Sequence, residues 1–221
     1  MVAKRPTRAG REPSNIACAA DESLRRLRTD HIDLYYAHED DEKVAQTEYL
    51  EAFDSLVRAG KVRYLGASNF SAERLKSAIK TTKEQNLASF VALQNHYNIL
   101  ERDEYEKNMI PTLKELEISS IPYFGLARGF LTGKYRRGVS VDSVRAQGVQ
   151  AYQNDHGYAI LERLEKIAKE RSTSIASIAL AWLRAQPTVI APIASARTKE
   201  QLEEITPIVG LSDYELAELS A

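Results

Sequence analysis

Five short apolar segments recur along the chain, and they constrain the fold more than any other feature of the sequence. They are rich in β-branched and aromatic residues, which indicates strands: 32–38, 62–68, 90–95, 120–126 and 189–194. The first, "IDLYYAH", is expected to be buried on both faces. The first four segments begin about 30 residues apart, with amphipathic stretches between them. This alternation predicts an α/β fold, in which parallel strands are joined by right-handed crossover helices.

The helices are predicted from apolar periodicity and from the residues at their ends. Gly60 is suited to the position just after a helix within 47–60, and Ser71 is suited to the N-cap of the next helix. Two later pairs have the spacing of a capping box, namely Thr198 with Gln201 and Ser212 with Glu215. Further helices are expected within 103–117, 158–170 and 174–185.

Composition excludes several classes of protein. The 221 residues carry a net charge of −1, whereas a nucleic-acid-binding surface needs a basic excess. No apolar run approaches the ~20 residues of a membrane span, and the basic N-terminus lacks the apolar core of a signal peptide. The single cysteine, Cys18, fits a reducing cytoplasm and is expected to pack on a helix face. Oligomeric state is not predicted.

Polar side chains follow the apolar segments at their C-terminal ends. They are His38, Ser68, Asn69, Gln94, Asn95, Tyr123, Ser195 and Arg197. In a parallel barrel such positions converge on one cavity. Hydroxyl and amide groups can bind a carboxamide, and Tyr123 offers an aromatic face for stacking. Arg197 is a suitable fork for a terminal phosphate, so the set favours NADPH, a nicotinamide dinucleotide with a 2′-phosphate.

Several motifs resemble those of the aldo-keto reductases, in the order of that family. They are "SLRRLRTDHIDLYYAH", "GKVRYLGASNF", "ALQNHYNILER", "GFLTGKY" and "IALAWLRAQP", and the similarity covers about residues 14–218. The resemblance implies a (β/α)8 TIM-type barrel. Five strands in 221 residues then predict an incomplete barrel that lacks roughly the first two to three strands. We expect a single domain over 1–221, with residues 1–15 poorly ordered.

The resemblance also implies roles for individual residues. His38 would orient or polarise the substrate carbonyl, and Tyr123 would stack under the nicotinamide. Binding of the carboxamide is implied for Ser68, Asn69 and Gln94. The loop along the pyrophosphate would contain Leu126, Ala127, Gly129, Thr132 and Lys134. The adenosine end and its 2′-phosphate would be held by Ser195, Arg197, Gln201 and Glu204.

The sequence departs from the family pattern at several points. The family uses an Asp, Tyr, Lys and His tetrad, and its Asp and Tyr come from the first two β/α units, which this chain is expected to lack. Lys4 precedes His38 by 34 positions, close to the family spacing, and is either the family lysine or a solvated terminal residue. Phe124 stands where a small serine is usual, and Ile205 stands where an adenine-binding asparagine is usual.

Three functional hypotheses follow. The chain is an NADPH-dependent oxidoreductase that reduces aldehydes or ketones to alcohols, or an inactive remnant that binds dinucleotide weakly or serves as an interaction module. The third is a gene whose start has been placed too late. Outside the site, His31, His96 and His156 are expected to be structural. The acidic run 40–42 is expected to be a solvated loop rather than a metal site. The segment 138–156 is expected to be a mobile loop over the site, or to be partly disordered.

Overall fold

The computed structural model describes residues 13–139, 141 and 146–221. Lys4 lies outside the described residues, so its catalytic role stays a prediction. The chain divides into two compact units, one formed by Met1–Leu93 with Leu116–Ile118 and the other by Gln94–Glu115 with Ser119–Ala221. We call them unit 1 and unit 2 and describe each by itself. The single domain and the poor order of residues 1–15 both stay predictions; within that range, residues 13–15 begin the first helix.

Unit 1 alternates helices and strands, as the sequence predicts. Its elements are α1 (Pro13–Leu27), β1 (Ile32–Ala37), α2 (Gln46–Arg58), β2 (Val62–Ser68), α3 (Ala72–Glu84) and β3 (Phe90–Gln94), whose last residue belongs to unit 2. The strands β1, β2 and β3 are neighbours in that order. Strands β1 and β2 are parallel, in a register that pairs Ile32 with Val62 and Ala37 with Ala67. The C-terminal ends of β1 and β2 are therefore side by side.

Two helix ends in unit 1 confirm their sequence signals. Ser71 caps α3, because its Oγ accepts a hydrogen bond from the Arg74 backbone nitrogen at 3.2 Å. Gly60 follows the C-cap of α2 with a φ of +71°, the left-handed conformation that favours glycine.

The acidic run after β1 is not wholly solvated, contrary to the expectation. Asp40 accepts hydrogen bonds from Arg74 Nε at 2.5 Å and from Arg74 Nη2 at 3.1 Å. This pairing with Asp40 raises the pKa of the Arg74 guanidinium. The bond joins the loop after β1 to the first turn of α3, next to the end of the strand.

The prediction that both faces of β1 are buried is wrong. Ala37 is its only buried residue, and Asp33 is exposed, with its carboxylate 2.6 Å from Arg63 on β2. Cys18 is also exposed, contrary to the packing expectation. Helix α1 buries Ile16 and Ala20 and packs against α2. Because successive helical residues are about 100° apart, Cys18 lies on the opposite side of α1 from those two.

Unit 2 is mainly helical. Its elements are a π turn (Tyr105–Met109), α4 (Ile110–Leu116, whose last residue belongs to unit 1), β4 (Ser119–Ser120), a 3₁₀ segment (Ala127–Thr132), α5 (Ala146–Val149), a 3₁₀ turn (Gln150–Tyr152), α6 (Asp155–Glu170), α7 (Ile175–Arg184), α8 (Lys199–Ile205) and α9 (Asp213–Ser220). The π turn ends two residues before Pro111, which lacks the N–H of a regular helical bond. Trp182 is fully buried in this unit, as expected for a core residue, and donates from Nε1 to Ser220 Oγ at 3.2 Å.

The two later predicted strands are much shorter than expected. Strand β4 covers only Ser119–Ser120, and 189–194 makes single backbone bonds, among them Ile190 N to Ser120 O at 3.0 Å and Ile193 N to Pro122 O at 2.8 Å. Pro122 and Pro192 interrupt these segments because proline has no N–H for a ladder.

The segment 138–156 is also more regular than the mobile loop that was expected. Its described part contains α5, a 3₁₀ turn and the start of α6. Tyr152 is buried, with its ring 6.0 Å from that of Phe130. Among the described residues, no helix is long and apolar enough to span a membrane.

Helix α9 begins with the capping box that its sequence predicts. Ser212 Oγ accepts from the Glu215 backbone nitrogen, and the Glu215 carboxylate accepts from Ser212 N at 2.7 Å. The same carboxylate receives two bonds from Arg171, Nε to Oε1 at 2.8 Å and Nη2 to Oε2 at 2.6 Å. The Arg171 bonds, aided by those from Ser212, lower the pKa of Glu215 to about 2.

This pKa predicts a pH-dependent contribution of Glu215 to stability. Because the pKa is lower in the folded chain than in the unfolded chain, the contribution is complete above about pH 4.5 and is lost as the pH falls toward 2. We expect Glu215→Gln to lower Tm by about 2–4 °C at pH 7, and the difference from wild type to vanish near pH 2. Thermal melts across this range test it, with exposed Glu162→Gln as control. A difference that is constant with pH would contradict the prediction.

Candidate functional site

A cavity of about 550 Å³ lies within unit 2. Two stretches of chain form its wall, one after β4 and one that leads into α8. The first stretch contributes Tyr123, Phe124, Gly125, Leu126, Arg128, Gly129, Thr132, Gly133 and Lys134. The second contributes Ile193, Ala194, Ser195, Arg197, Gln201, Glu204 and Ile205. We call this space the unit 2 cavity.

The first stretch of the wall has an unusual backbone. Phe124, Ala127 and Arg128 have φ values of +56°, +45° and +56°, in the left-handed region that costs a non-glycine residue about 1–2 kcal/mol. Gly129 continues the stretch with a φ of +99°. Strain of this kind persists where surrounding contacts fix it, and it is concentrated at functional sites.

The second stretch is fixed by hydrogen bonds at the start of α8. Thr198 Oγ1 accepts from Gln201 N at 3.3 Å, which confirms one half of the predicted capping box. The other half differs, because the Gln201 side chain accepts from Arg197 N at 3.0 Å instead of from the cap residue. Ser174, the N-cap of α7, donates from Oγ to the Glu204 backbone oxygen at 2.8 Å. These bonds attach α8 to the beginning of α7.

The charges of the lining suit an anionic ligand. Among the lining residues that the structure describes, Arg128, Lys134 and Arg197 are cationic, and Glu204 carries the one carboxylate. This excess of positive charge favours an anion. The Arg128 guanidinium lies 4.1 Å above the centre of the Phe124 ring. A stacked guanidinium keeps its in-plane N–H groups available for hydrogen bonds. The sequence reasoning missed Arg128, although it lies between residues assigned to the pyrophosphate loop.

Three rings form a cluster at the Tyr123 end of the cavity. His96 stacks on Tyr123 with ring centres 5.6 Å apart and planes 17° apart, and Phe124 meets both rings edge-on, at 5.3 Å and 5.0 Å. Burial lowers the pKa of His96. Its Nε2 lies 3.1 Å from Asn98 Nδ2, which can only donate, so the imidazole is a neutral acceptor at this atom. His96, expected to be merely structural, therefore contacts the cavity wall directly.

The structure gathers most of the cofactor residues predicted in unit 2 around this cavity. They are Tyr123, Leu126, Gly129, Thr132, Lys134, Ser195, Arg197, Gln201 and Glu204. Ala127 is fully buried and Gln94 ends β3 half-buried, and both lie outside the lining. Phe124 and Ile205, the two departures from the family pattern, both line the cavity and add apolar bulk to it.

The remaining predicted site residues lie together in unit 1. His38 and Ser68–Asn69 are at the adjacent ends of β1 and β2. Asn69 Nδ2 donates to the His38 backbone oxygen at 2.9 Å and to Ser68 Oγ at 3.2 Å. Asn69 has a φ of +58°, Ser68 is 1% exposed, and His38 is exposed. Their roles in binding and catalysis stay predictions.

Metal binding has no clear candidate in the described part of the chain. Within 13–139, 141 and 146–221, no group of three or more His, Cys, Asp or Glu side chains is arranged to hold an ion.

Similarity to known proteins agrees with these motifs. An oxidoreductase of Bacillus subtilis is 34% identical over 192 residues, which are 86% of this chain and 57% of that protein. An aldo-keto reductase of Alternaria alternata is 36% identical over 207 residues, 89% and 54% of the two chains. The L-glyceraldehyde 3-phosphate reductase of Escherichia coli is 29% identical over 206 residues, 90% and 59%. The chain thus spans between half and three-fifths of the length of these curated relatives.

A solved structure extends the likeness to the fold. The glycerol dehydrogenase of Gluconobacter oxydans superposes with a TM-score of 0.82 at 27% identity, over 99% of this chain and 67% of that one. This likeness confirms the α/β class, while the incompleteness of the barrel stays a prediction. The profile of the Aldo/keto reductase family matches residues 2–221. The chain therefore belongs to the aldo/keto reductase family.

Proposed function

We propose that the chain takes part in the NADPH-dependent reduction of an aldehyde or ketone to an alcohol, as a cytoplasmic protein acting on a small carbonyl compound. The observation that carries the proposal is the unit 2 cavity, which combines an aromatic end, a cationic wall and a volume of about 550 Å³. Aromatic surface with a few convergent polar groups is typical of a cofactor pocket.

The lining can be matched to the parts of a dinucleotide. Tyr123, supported by His96, offers a face on which a nicotinamide ring can stack. Arg128 and Lys134 can neutralise the central diphosphate. Arg197 and the neighbouring Gln201 can bind the adenosine 2′-phosphate, the group that distinguishes NADPH from NADH. When bound, the reduced nicotinamide would supply the hydride.

The proposal also assigns roles to the predicted site residues that do not line the cavity. His38 would donate a hydrogen bond to the carbonyl oxygen and polarise it, and the Ser68 and Asn69 side chains, with Gln94 at the end of β3, would bind the carboxamide. Asn69 also fixes the end of β1, because its amide holds the His38 backbone oxygen. The general acid is not assigned to a described residue, and such an acid contributes about 10²–10⁴ in rate.

Binding and turnover test this proposal separately. NADPH binding is measured by quenching of the buried Trp182 and by the emission of the nicotinamide, and turnover by oxidation of NADPH with a carbonyl panel. The name of one relative suggests L-glyceraldehyde 3-phosphate as a member of the panel. Tyr123→Ala should weaken binding, whereas Tyr214→Ala, at a position 73% exposed on α9, should not.

The outcomes distinguish the hypotheses. Binding with turnover supports the reductase. Binding without turnover favours the alternative, an inactive dinucleotide-binding module, and would be expected if the acid is missing. The absence of any NADPH binding would contradict the proposal.

A further inference from the structure

We infer that Asn98 and His96 are positioning residues that hold the Tyr123–Phe124 end of the unit 2 cavity ready for a flat heteroaromatic ring such as nicotinamide. The inference rests on the proposed dinucleotide site. Neither residue lines the cavity, so both would act through the two rings that do.

Asn98 is a buried hydrogen-bonding centre. Its side chain is fully buried, and its Nδ2 donates to the Phe124 backbone oxygen at 3.0 Å and to His96 Nε2 at 3.1 Å. Its Oδ1 accepts from the backbone nitrogens of Leu100 at 2.9 Å and Glu101 at 3.2 Å. Both N–H groups of the Asn98 amide therefore donate to the ring cluster, and the amide oxygen binds the backbone of the turn that follows Asn98.

The Phe124 turn needs such an anchor. Phe124 has a φ of +56°, which a β-carbon disfavours, so an outside contact must hold it. The neighbouring backbone is bound on the other side, by Tyr123 N to Asn95 O at 3.1 Å and Tyr97 N to Tyr123 O at 3.4 Å. The Phe124 carbonyl also accepts from Ala127 N at 2.8 Å within the turn itself. Loss of the Asn98 bond would remove the buried donor that comes from outside the turn, so the turn could relax toward an ordinary conformation.

Asn98 also acts on Tyr123, through the ring of His96. Its ring is nearly parallel to that of Tyr123 and perpendicular to that of Phe124, with interplanar angles of 17° and 80°. The Asn98 bond fixes the rotation of the imidazole, because Nε2 must face the amide. The rotation and tilt of Tyr123, on which a nicotinamide would stack, are thereby set before a ligand arrives. Such preorganisation increases affinity by reducing the ordering cost of binding.

The test compares two ligands that differ in the ring at issue. NADPH contains the nicotinamide, whereas adenosine 2′,5′-bisphosphate keeps only the adenosine end. We expect Asn98→Ala to weaken NADPH about tenfold and to leave the affinity for the bisphosphate unchanged. The control is Asn108→Ala, at an exposed residue on the π turn whose amide donates to the Glu104 carboxylate, and this variant should bind both ligands like wild type.

Two His96 variants test the same inference independently, in case Asn98→Ala does not fold. His96→Ala removes the stacked ring and should weaken NADPH selectively, by about tenfold. His96→Phe keeps an aromatic ring and should recover most of that loss. The change in nicotinamide emission on binding should follow the same order, because it reports contact with the Tyr123 face.

The possible failures can be told apart. Wild-type affinity for NADPH in the His96→Ala variant, or an equal loss of both ligands, would overturn the positioning role and leave the dinucleotide site standing. Wild-type protein that binds neither ligand would overturn the dinucleotide site and this inference with it.

Discussion

Replacing Arg197 with alanine is expected to weaken NADPH binding by about 10- to 100-fold and to leave the affinity for NADH nearly unchanged. Arg197 lines the unit 2 cavity beside α8, where its guanidinium is exposed to a ligand. A hydrogen bond to a charged group contributes about 1.5–3 kcal/mol, and only NADPH carries the 2′-phosphate that would receive it. The two cofactors therefore differ by the one group that this side chain is proposed to bind.

The measurement is a pair of titrations, with NADPH and with NADH, on the same variants. Arg197→Lys should fall between wild type and Arg197→Ala, because lysine keeps the charge and loses the planar fork. Lys199→Ala is the matched control, since Lys199 is an exposed cation two residues away whose Nζ lies 3.5 Å from Glu203. An equal loss for both cofactors in Arg197→Ala would show that Arg197 does not recognise the 2′-phosphate.

Replacing Gly157 with alanine is expected to destabilise the protein by about 3 kcal/mol. A β-carbon at this position would lie 1.9 Å from the Tyr152 carbonyl oxygen, far inside van der Waals contact. The first turn of α6 cannot easily move away, because Asn154 caps it by accepting from Gly157 N at 2.9 Å. Either the cap or the buried Tyr152 must be displaced, and the added β-carbon would also lie 3.4 Å from the ring of the buried Phe130, which packs against Tyr152.

Urea unfolding and thermal melts measure this effect. At about 2–4 °C per kcal/mol, the melting temperature should fall by roughly 6–12 °C. Gly210→Ala provides the control, because a β-carbon there meets nothing within 4 Å and its φ is outside the left-handed region. We expect that variant to lie within about 0.5 kcal/mol of wild type. If Gly157→Ala proved equally harmless, the close approach of Tyr152 to α6 would be refuted.

Local features of the fold were predictable from the sequence. The strand 62–68, the Ser71 cap, the glycine after α2 and the Ser212–Glu215 box all depend on interactions within a few residues. The family motifs also placed most of the residues that line the unit 2 cavity. These positions belong to short continuous stretches, so their spacing in the sequence carries the information.

The features that the sequence reasoning missed depend on residues far apart in the chain. The Asn98 bond to Phe124 joins positions 26 residues apart, and the Arg74 bond to Asp40 joins positions 34 residues apart. The bounds of helix α1 were not predicted either, although Cys18 was expected to lie on a helix face; the helix buries Ile16 and Ala20 and packs against α2, which follows it in the chain after β1. For β4, the proline at position 122 outweighed the apolar composition that suggested a long strand.

The left-handed backbone of Phe124, Ala127 and Arg128 also bears on how this pocket could be redesigned. Branched or bulky residues are disfavoured at these dihedral angles whether or not a ligand is bound. Selection from randomised libraries at these positions should therefore return mostly Gly, Asn and Asp. The stretch 193–205 has no such dihedral angles. New cofactor preferences should therefore be easier to select on the α8 side of the pocket, because the Phe124 side accepts fewer residue types.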